Sequence, residues 1–368
     1  MKQAEEKQVE ERTIMRADSI SIRLLKFIAI AGALPLLLGF AGKEKAPVAP
    51  PANPQLVWPL PPEKPRVKFL QELGNNFDIE SKKKKSWVDK VVGNADPNHI
   101  EYFEKPAGIA TDSRNRVIFT TTQRSTVFIV DQNQKTIGRI QGDRGIVLQT
   151  PLGVVVDAKD NIFVSDPLQH MVLKFDTNGH LLATIGGNAG VKNPTFMAID
   201  EGRRRLYVVD SHVHQVLVFD LDTLQLKQSV GKRGEKNGEF NFPVGIAVGP
   251  DGAFAVTDTG SCSVQVFSPD FKFIRRFGQQ GDRPGEFIRP KGIAIDKEGN
   301  YWVVDAAFNN FQIFGPKGNL LMWVGQFGNV PGAFNLPMGI FIDKAQKVYV
   351  SDQLNHRVQI FQFLGGGE

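Results

Sequence analysis

One pattern recurs six times along this chain and leaves few folds open to it. A Pro, one residue, usually a Gly, and an apolar Ile/Val-Ala-Ile/Val run ending in Asp occur at Pro106–Asp112, Pro151–Asp157, Pro194–Asp200, Pro243–Gly249, Pro290–Asp296 and Pro337–Asp343. Successive prolines lie 45, 43, 49, 47 and 47 residues apart. A period in this range is the mark of a repeat array in which each unit holds about four short strands and buries its faces only against its neighbours.

The residues after each anchor support that reading. A second alternating segment follows (Ile162–Ser165, Leu206–Val209, Tyr301–Val304, Val348–Ser351), then a turn that opens with Asp166, Asp210, Asp258, Asp305 or Asp352. A third segment ends in an aromatic, as in Val172–Phe175 and Val264–Phe267, and a fourth ends in Gly, as in Leu181–Gly186. Alternation of this kind describes half-buried antiparallel strands joined by tight turns. The Phe excess, 27 against 4 Tyr and 4 Trp, suits a pleated surface. The sixth unit lacks a fourth segment, and Arg66–Gly74 resembles the fourth segment Phe271–Gly278. The expected fold is therefore all-β: a six-bladed β-propeller of four-stranded antiparallel blades, with an N-terminal strand completing the last blade and closing the ring.

The run Asp352-Gln353-Leu354-Asn355-His356-Arg357-Val358-Gln359-Ile360-Phe361, after the Pro337-Met338-Gly339-Ile340 anchor, resembles the NHL-repeat signature. The resemblance extends over residues 66–363. Blade 1 departs from it with Thr122 in place of Asp, blade 3 with Phe196 in place of Gly, and blade 5 with Asn309 in place of His. The layout as a whole is similar to bacterial cell-envelope NHL proteins.

That layout rests on the N-terminus. Phe27–Phe40 is an apolar run of 14 residues behind Arg23 and Lys26, shorter than a bilayer span and followed by small residues at Gly39 and Ala41. Residues 1–41 are expected to be a signal peptide or membrane anchor, with Met15 as an alternative start. The folded part is then extracytoplasmic, in the periplasm or cell envelope. Residues 42–65 contain eight prolines and are expected to run as a semi-rigid spacer before a propeller over 66–368. An insertion at 81–93 sets Lys82, Lys83, Lys84 and Lys85 beside Trp87 on a short basic amphipathic helix, read as a lid on the propeller or a membrane-surface segment.

Residues suited to chemistry are few. Cys262 is the only cysteine, which excludes an internal disulfide or a Cys-rich metal site. The pairs Asp166/His170, Asp210/His214 and Asp352/His356 sit at equivalent places of three blades and are read as structural ties, because repeated positions meet repeated surroundings. Resemblance to calcium-dependent lactonases would imply oxygen ligands in the channel, and resemblance to the amidating-enzyme lyase would imply metal-binding histidines. The inner segments offer Gly, Ile, Ala and Val instead. The long loops between fourth and first strands are the better binding surface, and they bring Arg144, Lys192, Arg233, Lys236, Arg283 and Arg289 to one face. The expectation is a non-catalytic, monomeric scaffold that uses no cofactor or metal and recognises a protein, peptide or glycan partner there, with possible membrane association through the N-terminus. A metal-dependent lyase or hydrolase at the channel is the alternative. RNA binding ranks below both, since a net charge of +5 is slight for 368 residues and the export signal opposes it.

Overall fold

A computed structural model describes residues 56–80 and 99–365. The expected signal or anchor at 1–41, the first part of the spacer, and the basic segment with Lys82, Lys83, Lys84, Lys85 and Trp87 lie outside the described residues. No helix among the described residues is long and apolar enough to cross a membrane.

The chain folds as a six-bladed propeller of antiparallel sheets. Blade 1 runs Pro106–Thr111, Val117–Thr121, Thr126–Asp131 and Thr136–Ile140 from the axis outward. Blades 2 to 5 repeat this order, with innermost strands Val154–Val156, Pro194–Asp200, Pro243–Val248 and Pro290–Ile295. Blade 6 contributes Pro337–Ile342, Lys347–Asp352 and Arg357–Phe363, and its fourth strand is Val67–Leu73 from the other end of the chain. Val67 pairs with Phe363 and Leu73 with Val358, so both chain ends are tied into one sheet.

Each blade buries both faces, and the core is therefore a set of inter-blade layers. One layer stacks Trp302 on Phe311 and sets Phe363 edge-on to the Trp302 ring. Another holds Phe103, Phe119 and Phe128 together at 4.9–5.5 Å between ring centres. Aromatic pairs at these separations add to the stabilisation from buried area.

The spacer ends earlier than its proline content suggests. Val57–Trp58 pairs with Val67–Leu73 as a fifth strand on blade 6. Trp58 packs edge-on against Phe361, 5.9 Å between centres, while Pro59, Pro61 and Pro62 fall in the turn that follows. Two apolar residues with a partner to bury against outweigh the prolines beside them.

Candidate functional site

The two ends of the disc differ. Innermost strands begin, second strands end, and third strands begin at one end. That end, the loop face, carries the long connections between blades. The residue at the left-handed position before each third strand decides how these loops are held. These residues are Ser125, His170, His214, Cys262, Asn309 and His356, all with φ between 47° and 58°. Each reaches across to the loop that leads into the next blade. Ser125 Oγ donates to the Gln149 carbonyl at 2.6 Å, Cys262 Sγ to that of Ile288 at 3.5 Å, and His170 Nδ1 meets that of Lys192. The other three accept: His214 Nδ1 from Phe242 N–H at 3.1 Å, Asn309 Oδ1 from Leu336 N–H at 2.8 Å, His356 Nδ1 from Lys105 N–H at 3.2 Å. Three histidines in register are thus inter-blade staples, and they face separate joints.

The repeated Asp holds the loop of its own blade. Asp166 accepts from Gln149 N–H, Asp210 from Lys192 N–H, Asp258 from Asn241 N–H, Asp305 from Ile288 N–H and Asp352 from Asn335 N–H, at 2.6–2.8 Å. All five are fully buried. Burial pushes Asp258 up to about 6 and also raises Asp352, against which Arg357 Nε donates at 2.8 Å. The blade 1 counterpart is Thr121, opposite Pro106, and not Thr122 as the repeat pattern suggested; the second strand ends one residue earlier.

Inside the ring, hydroxyls join neighbouring blades. Thr120, Ser165, Thr257 and Ser351 each accept the N–H of the anchor glycine and donate to a carbonyl of the next innermost strand, at Leu152, Thr195, Lys291 and Ala107 respectively. Thr195 supplies the bridge from blade 3 to Val244. Val304 stands at the corresponding place in blade 5 and has no hydroxyl to give. The strands approach so closely that a Cβ on Gly339 would sit 2.1 Å from the Ala107 carbonyl oxygen, which is why glycine is the anchor.

The half of the channel away from the loop face holds a cavity of about 230 Å³ lined by Ile, Val, Ala, Phe196, Met197 and Phe341 side chains, with Thr111 as its one polar side chain. Asp112, Asp157, Asp200, Asp296 and Asp343 end the innermost strands there, but each accepts N–H groups of its own turn. Among the described residues no three His, Cys, Asp or Glu side chains are grouped to hold a metal ion.

The six cations singled out in the loops are all exposed on the loop face. Arg144 lies 3.9 Å from Asp143, and the side chains of Lys192, Arg233, Lys236, Arg283 and Arg289 make no ion pair or hydrogen bond among the described residues. Two of the acids beside them are occupied: Glu239 accepts from Lys236 N–H and pairs with Lys232 at 3.3 Å, and Glu286 accepts from Arg283 N–H at 3.0 Å, whereas Glu235 and Asp282 are exposed in the same loops with no ion pair among the described residues. The contacts of Glu239 and Glu286 hold both carboxyls below their ordinary range. The loops themselves are fixed. Gln265, Gln312 and Gln359, fully or nearly buried, each accept from a loop glycine N–H (Gly238, Gly285, Gly332) and donate to the next carbonyl. Phe240, Phe287 and Phe334 fill the space beneath and are wholly buried.

A family model for the NHL repeat matches residues 240–267, which run from the buried Phe240 through the anchor Pro243, Asp258 and the left-handed Cys262 to the end of the third strand. The chain is a six-bladed β-propeller that carries an NHL repeat. No curated protein matches it by sequence. Among solved structures, the NHL propeller is similar to a Bacteroides thetaiotaomicron protein of unknown function, at 15% identity, TM-score 0.58, over 79% of this chain and 76% of that one. It is similar to a gluconolactonase from Xanthomonas campestris at 16% identity, TM-score 0.55, over 70% and 86%. It is also similar to virginiamycin B lyase from Staphylococcus aureus at 12% identity, TM-score 0.53, over 72% and 85%. At these identities the likeness is one of fold.

Two features of the NHL propeller went unread in its sequence. The hydroxyl bridges could have been found from Thr or Ser immediately before or at the strand-ending position in four repeats. The glutamine clamps could have been found from Gln265, Gln312 and Gln359 recurring 47 residues apart.

Proposed function

We propose that this NHL propeller is a non-catalytic binding scaffold of the cell envelope that works through its loop face. The observation that carries the reading is the set of five exposed cations without ionic partners among the described residues, held on loops whose bases are fixed by buried Asp and Gln side chains. A rigid frame that leaves its charges uncommitted is suited to recognition, because ordering costs are met before the partner arrives. The partner must present an acidic surface. The envelope location rests on the apolar run Phe27–Phe40 and its basic flank.

Reversing Arg233 and Arg283 to Glu in the full chain tests this. Capture of an envelope partner should fall at least tenfold, while Lys317→Glu on the opposite face leaves it unchanged. Equal capture by both variants would sink the reading.

The names of two similar structures, a lactonase and a lyase, motivate the second reading of a metal-dependent enzyme at the channel. The channel side chains supply few groups for it: apolar residues in one half, and in the other Lys291, whose ammonium burial drives toward its neutral form. A stoichiometric metal in the purified protein together with turnover of a lactone or a cyclic depsipeptide would favour that reading and displace the scaffold.

A further inference from the structure

The loop face is asymmetric in a second respect besides charge. Val147, Leu168, Phe242, Ile288, Phe327 and Val330 stand on it at the tips of connections, exposed by 46–70%. The opposite face exposes only Leu60 and Leu364 as large apolar side chains among the described residues, and most of the rest lie on outermost strands around the rim. Three of the apolar tips share a connection with cations, Val147 with Arg144, Phe242 with Arg233, and Ile288 with Arg283 and Arg289, while Phe327 and Val330 stand together in a connection that carries no charge.

We propose that this face docks on an anionic membrane surface, a proposal that rests on the loop face being the binding face and names its partner as lipid in place of a protein, peptide or glycan. Two arguments favour lipid. A stable protein interface gathers its apolar residues into a core depleted of charge and puts polar residues at the rim. Here Val147, Phe242 and Ile288 each share a connection with a cation, and the six tips are spread over five separate connections. A bilayer accepts that arrangement, since separate apolar tips each enter the headgroup–acyl boundary while neighbouring Lys and Arg remain among the phosphates. Charge complementarity is the second argument, because unpaired cations near an anionic leaflet add attraction individually. The backbone beneath is fixed by the staples, so the tips are presented without refolding.

The experiment uses the full chain and vesicles of phosphatidylcholine with or without phosphatidylglycerol, with flotation as the readout and soluble poly-glutamate as a competing probe. Because Phe27–Phe40 is present throughout, its own affinity for lipid cancels between variants. Arg283→Glu/Arg289→Glu should weaken binding to anionic vesicles by at least about thirtyfold, since it removes two surface cations and reverses their charge. Phe327→Ser/Val330→Ser should weaken it roughly tenfold or more with its salt dependence retained. Lys317→Glu/Lys344→Glu, on the opposite face, should bind as the parent does. If both loop-face variants float like the parent, the lipid proposal is overturned. If in that case poly-glutamate binding is lost from Arg283→Glu/Arg289→Glu, the binding face stands and its partner is an acidic polypeptide. If neither probe distinguishes the two faces, the binding-face reading falls as well.

Discussion

His214 and Asp258 make opposite contributions to the pH dependence of this propeller. His214 is buried at a joint where Nδ1 accepts Phe242 N–H, so only the neutral ring can hold it. Burial first, then Arg233 and His212, depress its titration below the ordinary histidine value. The unfolded chain therefore binds the proton more readily, and the stabilisation is complete above about pH 6.5 and lost as pH falls through the lower folded value. Thermal melts should show the midpoint dropping between pH 7.5 and 5. His214→Asn should flatten that drop, because Asn309 already makes the same bond at the equivalent joint. Asp258 runs the other way. Its carboxyl, raised to about 6 by burial, destabilises the fold progressively as pH rises from about 4 to 6. Asp258→Asn, which retains an acceptor for Asn241 N–H, should match or exceed the parent at pH 7 and lose that advantage near pH 4, as read by denaturant midpoints at the two pH values.

At the scale of strands, the hydroxyl bridges set the strength of each seam. Ser351 spans the seam from blade 6 to blade 1, accepting from Gly339 N–H at 2.6 Å and donating to the Ala107 carbonyl at 2.8 Å. Ser351→Ala leaves a buried N–H and a buried carbonyl short of a partner and should cost about 1–3 kcal/mol in denaturant unfolding. Val304→Thr offers the missing bridge at the seam from blade 5 to blade 6. It should raise the melting midpoint by a few degrees, a gain of about 1 kcal/mol. A lowered midpoint would show that the Met338 carbonyl is out of reach. The strands themselves were legible as short apolar runs set off by turns, from Val117–Thr121 to Lys347–Asp352, although the half-buried character read from their sequence is overturned: both are buried on both faces between neighbouring blades. The seams were not, because their partners sit in the next repeat: Ser165 and Thr195 are 30 residues apart and share no local pattern. The histidines were read as ties, but the same limit hid that Ser125, Cys262 and Asn309 play the equivalent part, since these residues share only a left-handed backbone position.

For the whole molecule, closure was readable from an incomplete sixth repeat and a surplus strand at the N-terminus. The fifth strand Val57–Trp58 was not, since composition there spoke only of proline. Its weight can be measured. Removing residues 1–58 leaves Val67–Leu73 in place and should lower the melting midpoint slightly. Removing residues 1–74 takes the closing strand and Glu72, which Arg357 holds at 2.7 Å, and should abolish cooperative unfolding altogether. The long connections were legible from their spacing in the repeat. Their apolar tips were not separable in sequence from buried neighbours, as Phe240 and Phe242 show, one sealed beneath the loop and the other standing clear of it.

The closing contact also imposes a schedule on synthesis. Glu72 and Arg357 are separated by 285 residues, so the strand that completes the sixth blade leaves the ribosome 285 residues ahead of its partner. At ordinary elongation rates the early strand waits on the order of 15–60 s with its edge unclaimed. Five blades can assemble during that interval, but the circle cannot shut until the sixth has been made. A newborn chain of this kind is therefore an open arc throughout that interval, and any factor that shields the waiting strand has its window then.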